Sequence, residues 1–166
     1  MALIRSQDGN VKVNTPSTTP QSTAYNVTNA EAVGQVSSWE LTLNNDNQEI
    51  TSFTDDFAEF VNTTKRWTGT IAAFFDPNTT AVGHDEIMEC MLPGSFSGSL
   101  AGTGDLEGQL LFNFYVDDTQ ASASKDVFWG NALVLNAAVR HVVGDVSRLD
   151  VSLQGSGLLS YTTSGT

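Results

Sequence analysis

Apolar and polar residues alternate most regularly over residues 33–43. Trp39, Leu41 and Leu43 fall on one side of an extended strand, and the polar residues between them fall on the other. Alternation with a period of two is typical of a β-strand that is buried on one face. The sequence therefore predicts a strand here, which the polar run at 44–47 is expected to end.

A second tryptophan-led segment, residues 67–75, predicts another strand. Its end is apolar on both faces, because Phe74 and Phe75 are adjacent. Both faces of a strand are buried only when a layer covers each of them. We therefore expect a docked helix on one side and a packed sheet on the other.

The segment between these strands, residues 52–61, has a different period. Phe53, Phe57, Phe60 and Val61 recur at the spacing of one helix face, and two aspartates in the first turn suit the helix dipole. A helix of about ten residues is marginal alone in water, so it must dock against a sheet. This pattern predicts one short flanking α-helix.

The other predicted strands rest on shorter apolar runs. An Asp-Gly turn indicates a hairpin at the start of the chain. The run at 135–143 is ambiguous, because periodicity does not separate a strand from a short helix there. The expected strands span 2–6, 11–13, 110–116, 127–139, 149–154 and 158–161.

These elements predict a mainly β fold in one domain, residues 1–166. About eight strands with one helix form two packed antiparallel sheets, as a β-sandwich or open barrel with one short flanking α-helix. A polar stretch with two prolines, at about 14–30, is expected to be a loop or arm. Residues 82–92 receive no firm assignment.

The charge balance argues against one class of partner. The chain has 19 acidic and seven basic residues, a net charge of −12, and its basic residues form no stripe. Since phosphate neutralisation supplies most of the non-specific affinity for nucleic acids, this surface is expected to repel them. The charge serves either solubility alone or a surface past which DNA moves without sticking.

The densest group of possible metal ligands comprises His84, Asp85, Glu86, Glu89 and Cys90. Their spacing matches no zinc motif and offers no second ligand pair, so a solvated acidic loop is the expected structure. The single cysteine is expected to be a small apolar core residue rather than a nucleophile. We therefore expect no metal site.

Catalytic motifs are missing from the sequence. The segment 94–98 has Phe96 where a serine nucleophile would stand, and 102–104 lacks the third glycine of a dinucleotide loop. His141 is expected to end a strand rather than to act as a base. With 19 carboxylates, a chance pair carries no specificity for glycoside hydrolysis. We expect no catalytic residue, no cofactor and no enzymatic activity.

The ends and apolar runs of the chain predict no membrane partner. The first residues lack the apolar core of a signal peptide, and no apolar run reaches the roughly 20 residues of a membrane helix. We therefore expect a protein that is made in a cytoplasm and stays soluble.

Several short motifs follow one another in an order typical of one protein family. They are the Ser-Trp-Glu-Leu-Thr-Leu run, the phenylalanine-bearing segment, the Arg-Trp-Thr-Gly-Thr-Ile run, an Asp-Pro pair and two later glycine-containing runs, at 38–43, 52–61, 66–71, 76–77, 128–133 and 153–158. In this order they resemble the major tail tube proteins of tailed bacteriophages, which are related to the type VI secretion tube protein. The middle of the chain, 84–108, takes no part in the resemblance.

The resemblance implies two packed β-sheets with a flanking helix. It also implies that six copies close into a ring and that rings stack into a tail tube, through which DNA passes without specific binding. The implied partners are further copies of the chain and other tail proteins, such as the tape measure, baseplate, terminator and sheath. The implied location is the virion tail, and the bacterial host cytoplasm during assembly. Since no residue of that family is catalytic, none is carried over.

Elementary physics agrees with this assembly. Joining sheet edges between subunits into a closed barrel removes the exposed edges that would otherwise template aggregation. An acidic channel would repel the phosphate backbone and let DNA slide.

Two other functions fit the sequence. One is another virion structural protein, such as a tail terminator, neck component or capsid decoration protein. The other is a carbohydrate-binding module, in which Trp39, Trp67 and Trp129 would form a sugar-stacking platform. Tryptophans that begin alternating strands equally pack in a core, so the position of their rings separates the two interpretations.

Overall fold

The computed structural model describes residues 9–14, 30–50, 58–75, 83–91, 109–117 and 126–162. These residues form eight strands and one helix. In chain order they are β1 (Asn10–Asn14), β2 (Glu31–Ala32), β3 (Gln35–Glu49), β4 (Phe60–Phe74), α1 (Gly83–Met91), β5 (Gln109–Tyr115), β6 (Val127–Arg140), β7 (Arg148–Gly155) and β8 (Ser160–Thr162).

All eight strands belong to one antiparallel sheet. Its order is β2-β1-β5-β6-β7-β4-β3, and β8 pairs with the start of β6. The predicted mainly β class with one short helix is therefore confirmed.

The two packed layers of the prediction are two halves of this one sheet, which curls over on itself. Trp39 in β3 and Phe114 in β5 are four strand positions apart, about 19 Å across a flat sheet. Their ring centroids are nevertheless only 5.6 Å apart. Among the described strands no pairing joins β2 to β3, so the curl is an open barrel.

The core fills the inside of this curl. Trp67 is its largest member, and its indole lies against the backbone of Gly155 and Gly130, where a Cβ atom would overlap the ring or come within 3.0 Å of it. The buried apolar side chains come from both halves of the sheet and from the helix: Val11, Val13, Val33, Trp67, Ile71, Ala73, Ile87, Leu110, Phe112, Phe114, Ala132, Leu149, Val151 and Leu153.

The helix predicted over 52–61 is wrong at its end. Phe60 and Val61 begin β4 and pair with Glu49 and Gln48 of β3, while residues 51–57 lie outside the described part of the chain. Phe60 and Val61 form a strand despite their helical spacing because a 15-residue partner strand supplies the backbone hydrogen bonds.

The helix that the structure describes is α1, in the segment that sequence patterns left unassigned. Ile87 turns into the core, and Asp85 and Glu86 lie in the first turn, where they suit the positive end of the helix dipole. Gly83 contacts the backbone of β2 so closely that a Cβ would lie 2.5 Å from the carbonyl oxygen of Ala32.

Several predicted boundaries also change. The polar run at 44–47 does not end β3, because these residues continue to pair with β4 as far as Glu49. The helical alternative over 135–143 is wrong, because β6 runs to Arg140. The last strand begins at Ser160 rather than at residue 158.

The strands predicted at 110–116, 127–139 and 149–154 are confirmed within one or two residues. The strand predicted at 67–75 is part of β4, which begins seven residues earlier, at Phe60. At the start of the chain, 11–13 forms part of β1. The first strand of the predicted hairpin and nearly all of the arm at 14–30 lie outside the described residues.

Candidate assembly surfaces

Four strands form a strip that is not completed within the chain. The strip consists of residues 134–140 of β6, 148–154 of β7, 68–74 of β4 and 35–42 of β3. One of its cross-strand rows is Ala137, Val151, Ile71 and Trp39, and the next is Ala138, Asp150, Ala72 and Ser38. Rows alternate between the two faces of a sheet, so the first row faces the core and the second faces away from it.

The strip has an open edge on each side. On one side, β5 pairs with β6 only as far as Leu133, opposite Gln109, and no described strand continues this pairing along 134–140. On the other side, β3 pairs with β4 alone among the described strands. The pairing register shifts by one residue in both edge strands, between Val134 and Asn136 in β6 and between Val36 and Ser38 in β3.

The two edge strands run in opposite directions. Each neighbouring pair in the strip is antiparallel, and three such steps lead from β6 to β3. If a second copy is placed beside the first by rotation about one axis, its β6 is therefore antiparallel to the first copy's β3. The strip can continue as a regular antiparallel sheet from copy to copy.

The face of the strip that points away from the core is polar and exposed or half-exposed. Its uncharged residues are small, hydroxylated or amide side chains, apart from the half-buried Phe74, which pairs with Arg148 at one end of the strip. The polar face comprises Gln35, Ser38, Glu40, Thr42, Thr68, Thr70, Ala72, Phe74, Asn136, Ala138, Arg140, Arg148, Asp150, Ser152 and Gln154 of the strip, and it continues beyond the strip on β3 and β4 with Asn44, Asp46 and Arg66.

Two ion pairs lie on the polar face. An Arg66 Nη atom is 2.5 Å from a carboxylate oxygen of Asp46, and the Arg140 Nε atom is 3.7 Å from a carboxylate oxygen of Asp150. The first pair lies between β3 and β4, and the second between β6 and β7. Each of these two arginines thus has a carboxylate on the neighbouring strand.

Beyond the strip, β3 and β4 continue as a two-stranded ribbon. β4 loses its partner β7 before Thr68, whereas its pairing with β3 continues to Phe60, about 25 Å further on. A backbone hydrogen bond of 2.9 Å from Ile50 N to Glu59 O extends the ribbon by one more position. All residues of β4 from Phe60 to Arg66 are exposed.

The ribbon exposes large apolar side chains that no other described part of the chain covers. Phe60 is 61% exposed and Leu43 is 66% exposed, and Ile50 and Val61 are exposed as well. A two-stranded ribbon alone is marginally stable in water, and an exposed apolar edge invites association.

A second apolar patch lies at the opposite end of the strip, on the turn between β6 and β7. Val143 is 94% exposed, and Val142 and Val146 beside it are exposed too. This valine turn follows Arg140, which pairs with Arg148 at the end of the strip furthest from the ribbon. The molecule therefore carries one exposed apolar patch at each end of its strand direction.

The structure separates the three tryptophans. Trp67 is 3% exposed and belongs to the core, while Trp39 packs against the core from β3. Trp129 is half-buried, and its Nε1 atom donates a hydrogen bond of 3.3 Å to Thr162 Oγ1. With Trp67 inside the barrel, the three rings do not form a surface platform.

The predicted acidic loop is wrong at 84–90, because these residues form α1. His84 is buried at 4% exposure and packs edge-on against Phe75, with ring centroids 4.9 Å apart. Its Nε2 atom lies 3.3 Å from a carboxylate oxygen of Asp85. Cys90 is half-buried and packs against the core, as predicted.

His141 directly follows the end of β6, as predicted, and its Nδ1 atom lies 2.6 Å from Ser147 Oγ across the turn. No group of three or more histidine, cysteine, aspartate or glutamate side chains with metal-binding geometry occurs among the described residues. In the part of the chain that the structure describes, no helix is long and apolar enough to cross a membrane.

Sequence patterns missed the ribbon and the valine turn. The signal for the ribbon lies in Phe60 and Val61, whose spacing also fits one face of a helix. The signal for the turn was the apolar pair Val142-Val143 directly before Gly144, since turns are normally polar.

No protein-family model matches the sequence, and no curated protein matches it significantly. Solved structures do match the fold. A chain in the tail of an empty gene transfer agent particle, refined with C6 symmetry, has a TM-score of 0.62 and 11% sequence identity over 96% of this chain and 98% of its own. A chain of the native gene transfer agent virion has a TM-score of 0.63, 11% identity and the same coverage.

A third match is the SPP1 tail tube, solved by solid-state NMR and electron microscopy. Its TM-score is 0.64 at 13% identity, over 97% of this chain and 80% of that one. At such identities these matches concern the fold, and the fold of this chain is that of tail and tail tube structures.

Proposed function

We propose that this chain is the subunit of a phage tail tube. Copies pair through the open edges of the four-stranded strip and close into a ring, and rings stack into a tube that conducts DNA. The observation that carries the proposal is the strip itself, which has two open edges in the correct relative direction for copy-to-copy pairing. The fold shared with the gene transfer agent tail and the SPP1 tail tube supports it.

Ring closure explains why the chain leaves these edges open. An exposed strand edge is a template for aggregation unless it is blocked or paired. A head-to-tail interface repeated by rotation ends in a closed ring, in which no strip edge remains free. An even number of strands in each copy keeps the whole ring antiparallel.

Six copies, the symmetry of the matching tail, give a barrel of roughly 24 strands. Barrels of 16–18 strands already leave a water-filled channel. At a strand spacing of about 4.8 Å and a tilt of about 40°, opposite backbones of this barrel are on the order of 40–50 Å apart. A channel of this size admits a DNA duplex.

Stacking uses the two ends of the subunit. The ribbon with Phe60 and Leu43 projects from one end, and the valine turn with Val143 lies at the other. Because these patches differ, contact between them is heterologous and repeats without closing, so rings add to one another along the axis.

In this proposal the role of the chain is structural, with no catalytic step. The other partners are tail proteins at the two ends and inside the tube, and the site of action is the virion, after assembly in a bacterial host cytoplasm. No described residue has a role in the proposal beyond folding, pairing, stacking or lining the channel.

The test is assembly of the purified chain at high concentration, followed by sedimentation velocity and negative-stain electron microscopy. We expect six-membered rings and stacked tubes. Monomers that persist at every concentration, also after tail components are added, would contradict the proposal.

Cross-linking tests the strip edges directly. In a Cys90→Ser background, Ser38→Cys is combined in turn with Asn136→Cys, Ala138→Cys and Arg140→Cys, because all four lie on the polar face at the edge strands. Neighbouring strands bring Cα atoms within disulfide range, so oxidation of the right pair links copies in a ladder of up to six. Ser38→Cys alone serves as the control. A ladder absent from every pair would show that rings close through another surface.

A further inference from the structure

The position of the core determines which face of the strip lines the proposed channel. The other face is covered by the chain's own apolar side chains, including Val151 and Ile71. When strips close into a barrel, the body of each subunit must lie outside it. The polar face therefore lines the channel.

This face does not share the acidity of the whole chain. It holds three carboxylates, Glu40, Asp46 and Asp150, and three arginines. The chain as a whole has 19 acidic residues and only seven basic ones, so nearly half of its positive side chains lie on this one surface. The acidic lining that composition suggested is replaced by a lining without net charge.

Two of the three arginines on this face lie beside carboxylates. Asp46 binds Arg66, and Asp150 lies beside Arg140. Arg148 is the cross-strand partner of Arg140 at this end. An arginine that donates to a carboxylate has fewer N–H groups left for a phosphate, which binds the same planar fork.

We infer that the polar face is a DNA-facing lining in which Asp46 and Asp150 occupy Arg66 and Arg140 and so keep them from gripping the phosphate backbone. The inference rests on the proposed tube. The ligand is duplex DNA, recognised by its phosphates and not by its bases. A balanced lining neither repels the duplex strongly nor holds it, which suits a polymer that must fill the tube and also leave it.

Repetition makes this balance important. A single exposed arginine contributes little affinity, but every copy in every ring presents the same two groups to the DNA. Affinity for a duplex grows with each phosphate that is neutralised, and the dependence on salt grows in proportion. Loss of one carboxylate in the chain therefore releases a whole ring of arginines at once.

The experiment compares variants that differ by one charge on the same face. Tubes are assembled from the unaltered chain and from Asp46→Asn, Asp150→Asn and Glu40→Gln in the presence of a fluorescent 30-base-pair duplex. They are then treated with nuclease, pelleted and assayed for retained DNA at several salt concentrations. Glu40→Gln is the matched control, because it removes one negative charge and no ion pair of Glu40 occurs among the described residues.

We expect tubes of Asp46→Asn and Asp150→Asn to retain roughly threefold to tenfold more duplex than tubes of Glu40→Gln, with the excess lost as salt is raised. The second change Arg66→Gln is expected to abolish the gain of Asp46→Asn, and Arg140→Gln that of Asp150→Asn.

Equal retention by all three single variants would show that only net charge matters and would overturn the inference, as would no gain in either aspartate variant. If the unaltered chain forms no tubes in the micrographs, the proposed function falls, and the inference falls with it. Tubes that form without a difference between variants overturn the inference alone.

Discussion

β5 and the ribbon are parts of the same sheet, but β5 is buried and the ribbon is exposed. Six consecutive residues of β5, from Leu110 to Tyr115, are buried, whereas every residue of β4 from Phe60 to Arg66 is exposed. β5 has a strand on each side, β1 and β6, while the ribbon part of β4 has only β3. The lesson is that one half of the molecule is complete within a single chain, and the other half leaves apolar groups and strand edges for a second copy.

The largest loss of stability is expected from a substitution in the half that is complete within one chain. Gly155→Ala places a methyl group into the indole of Trp67, which is held on all sides by the core. We expect the free energy of unfolding to fall by about 3 kcal/mol, measured by urea denaturation. Ser156→Ala next to it is the control and should stay within about 0.5 kcal/mol. Equal values for the two variants would mean that the indole yields easily and that the core is looser than its burial indicates.

A smaller loss is expected where the helix meets the sheet. Gly83→Ala drives a Cβ against the carbonyl oxygen of Ala32, so α1 must shift away from β2. The better helix propensity of alanine offsets part of the cost, and we expect a net loss of about 1–2 kcal/mol by thermal or urea denaturation.

Met91→Ala at the exposed end of α1 is the matched control for the helix and should be nearly neutral. If Gly83→Ala were stabilising, the close approach of α1 to β2 would be refuted.

Removal of an ion pair from the incomplete half should matter still less for the subunit. Asp46→Asn breaks the pair with Arg66, but both side chains are about half exposed, so water screens the interaction. We expect less than about 1 kcal/mol of destabilisation by urea titration, no more than for Glu40→Gln. A loss comparable to that of Gly155→Ala would mean that the ribbon is an integral part of the fold.

The smallest effect on stability is expected to accompany the largest effect on assembly. Phe60→Lys replaces an apolar side chain that is already in water, so unfolding should change by less than about 0.5 kcal/mol, while stacked tubes disappear and rings remain. Asn62→Lys, on the same exposed stretch and with the same charge change, should leave tubes intact. Sedimentation and negative-stain images measure both. Tubes formed equally by the two variants would contradict the role of the ribbon in stacking.

The sequence predicted the strands well where alternation extends over a buried face. The segment at 67–75 is a strand as predicted, but only one of its faces is buried in the core, whereas sequence patterns predicted a covering layer on both. β6 and β7 follow their apolar runs. The prediction was wrong at Phe60 and Val61, which fit a helix face by spacing alone, because spacing does not reveal that β3 is long enough to pair with them. The prediction of a loop around His84 was wrong for a different reason. A polar helix that is buried on one side has the composition of a loop.

The candidate assembly surfaces were less predictable than the fold. Alternation did indicate that Ser38, Glu40 and Thr42 share a face, but not that Arg140 and Asp150 lie on the same surface. Those residues come from distant parts of the chain, and only the strand order β6-β7-β4-β3 brings them together.

By itself, the sequence determined the β-rich class, the overall acidity and the strands with one buried face, because these depend on composition and on the period of apolar residues along the chain. The tertiary structure alone decided that the strands form one curled sheet, that a four-stranded strip keeps two open edges, and that arginines gather on its polar face. Pairing between distant strands sets these features, and a pairing partner is a property of the folded chain rather than of any local pattern.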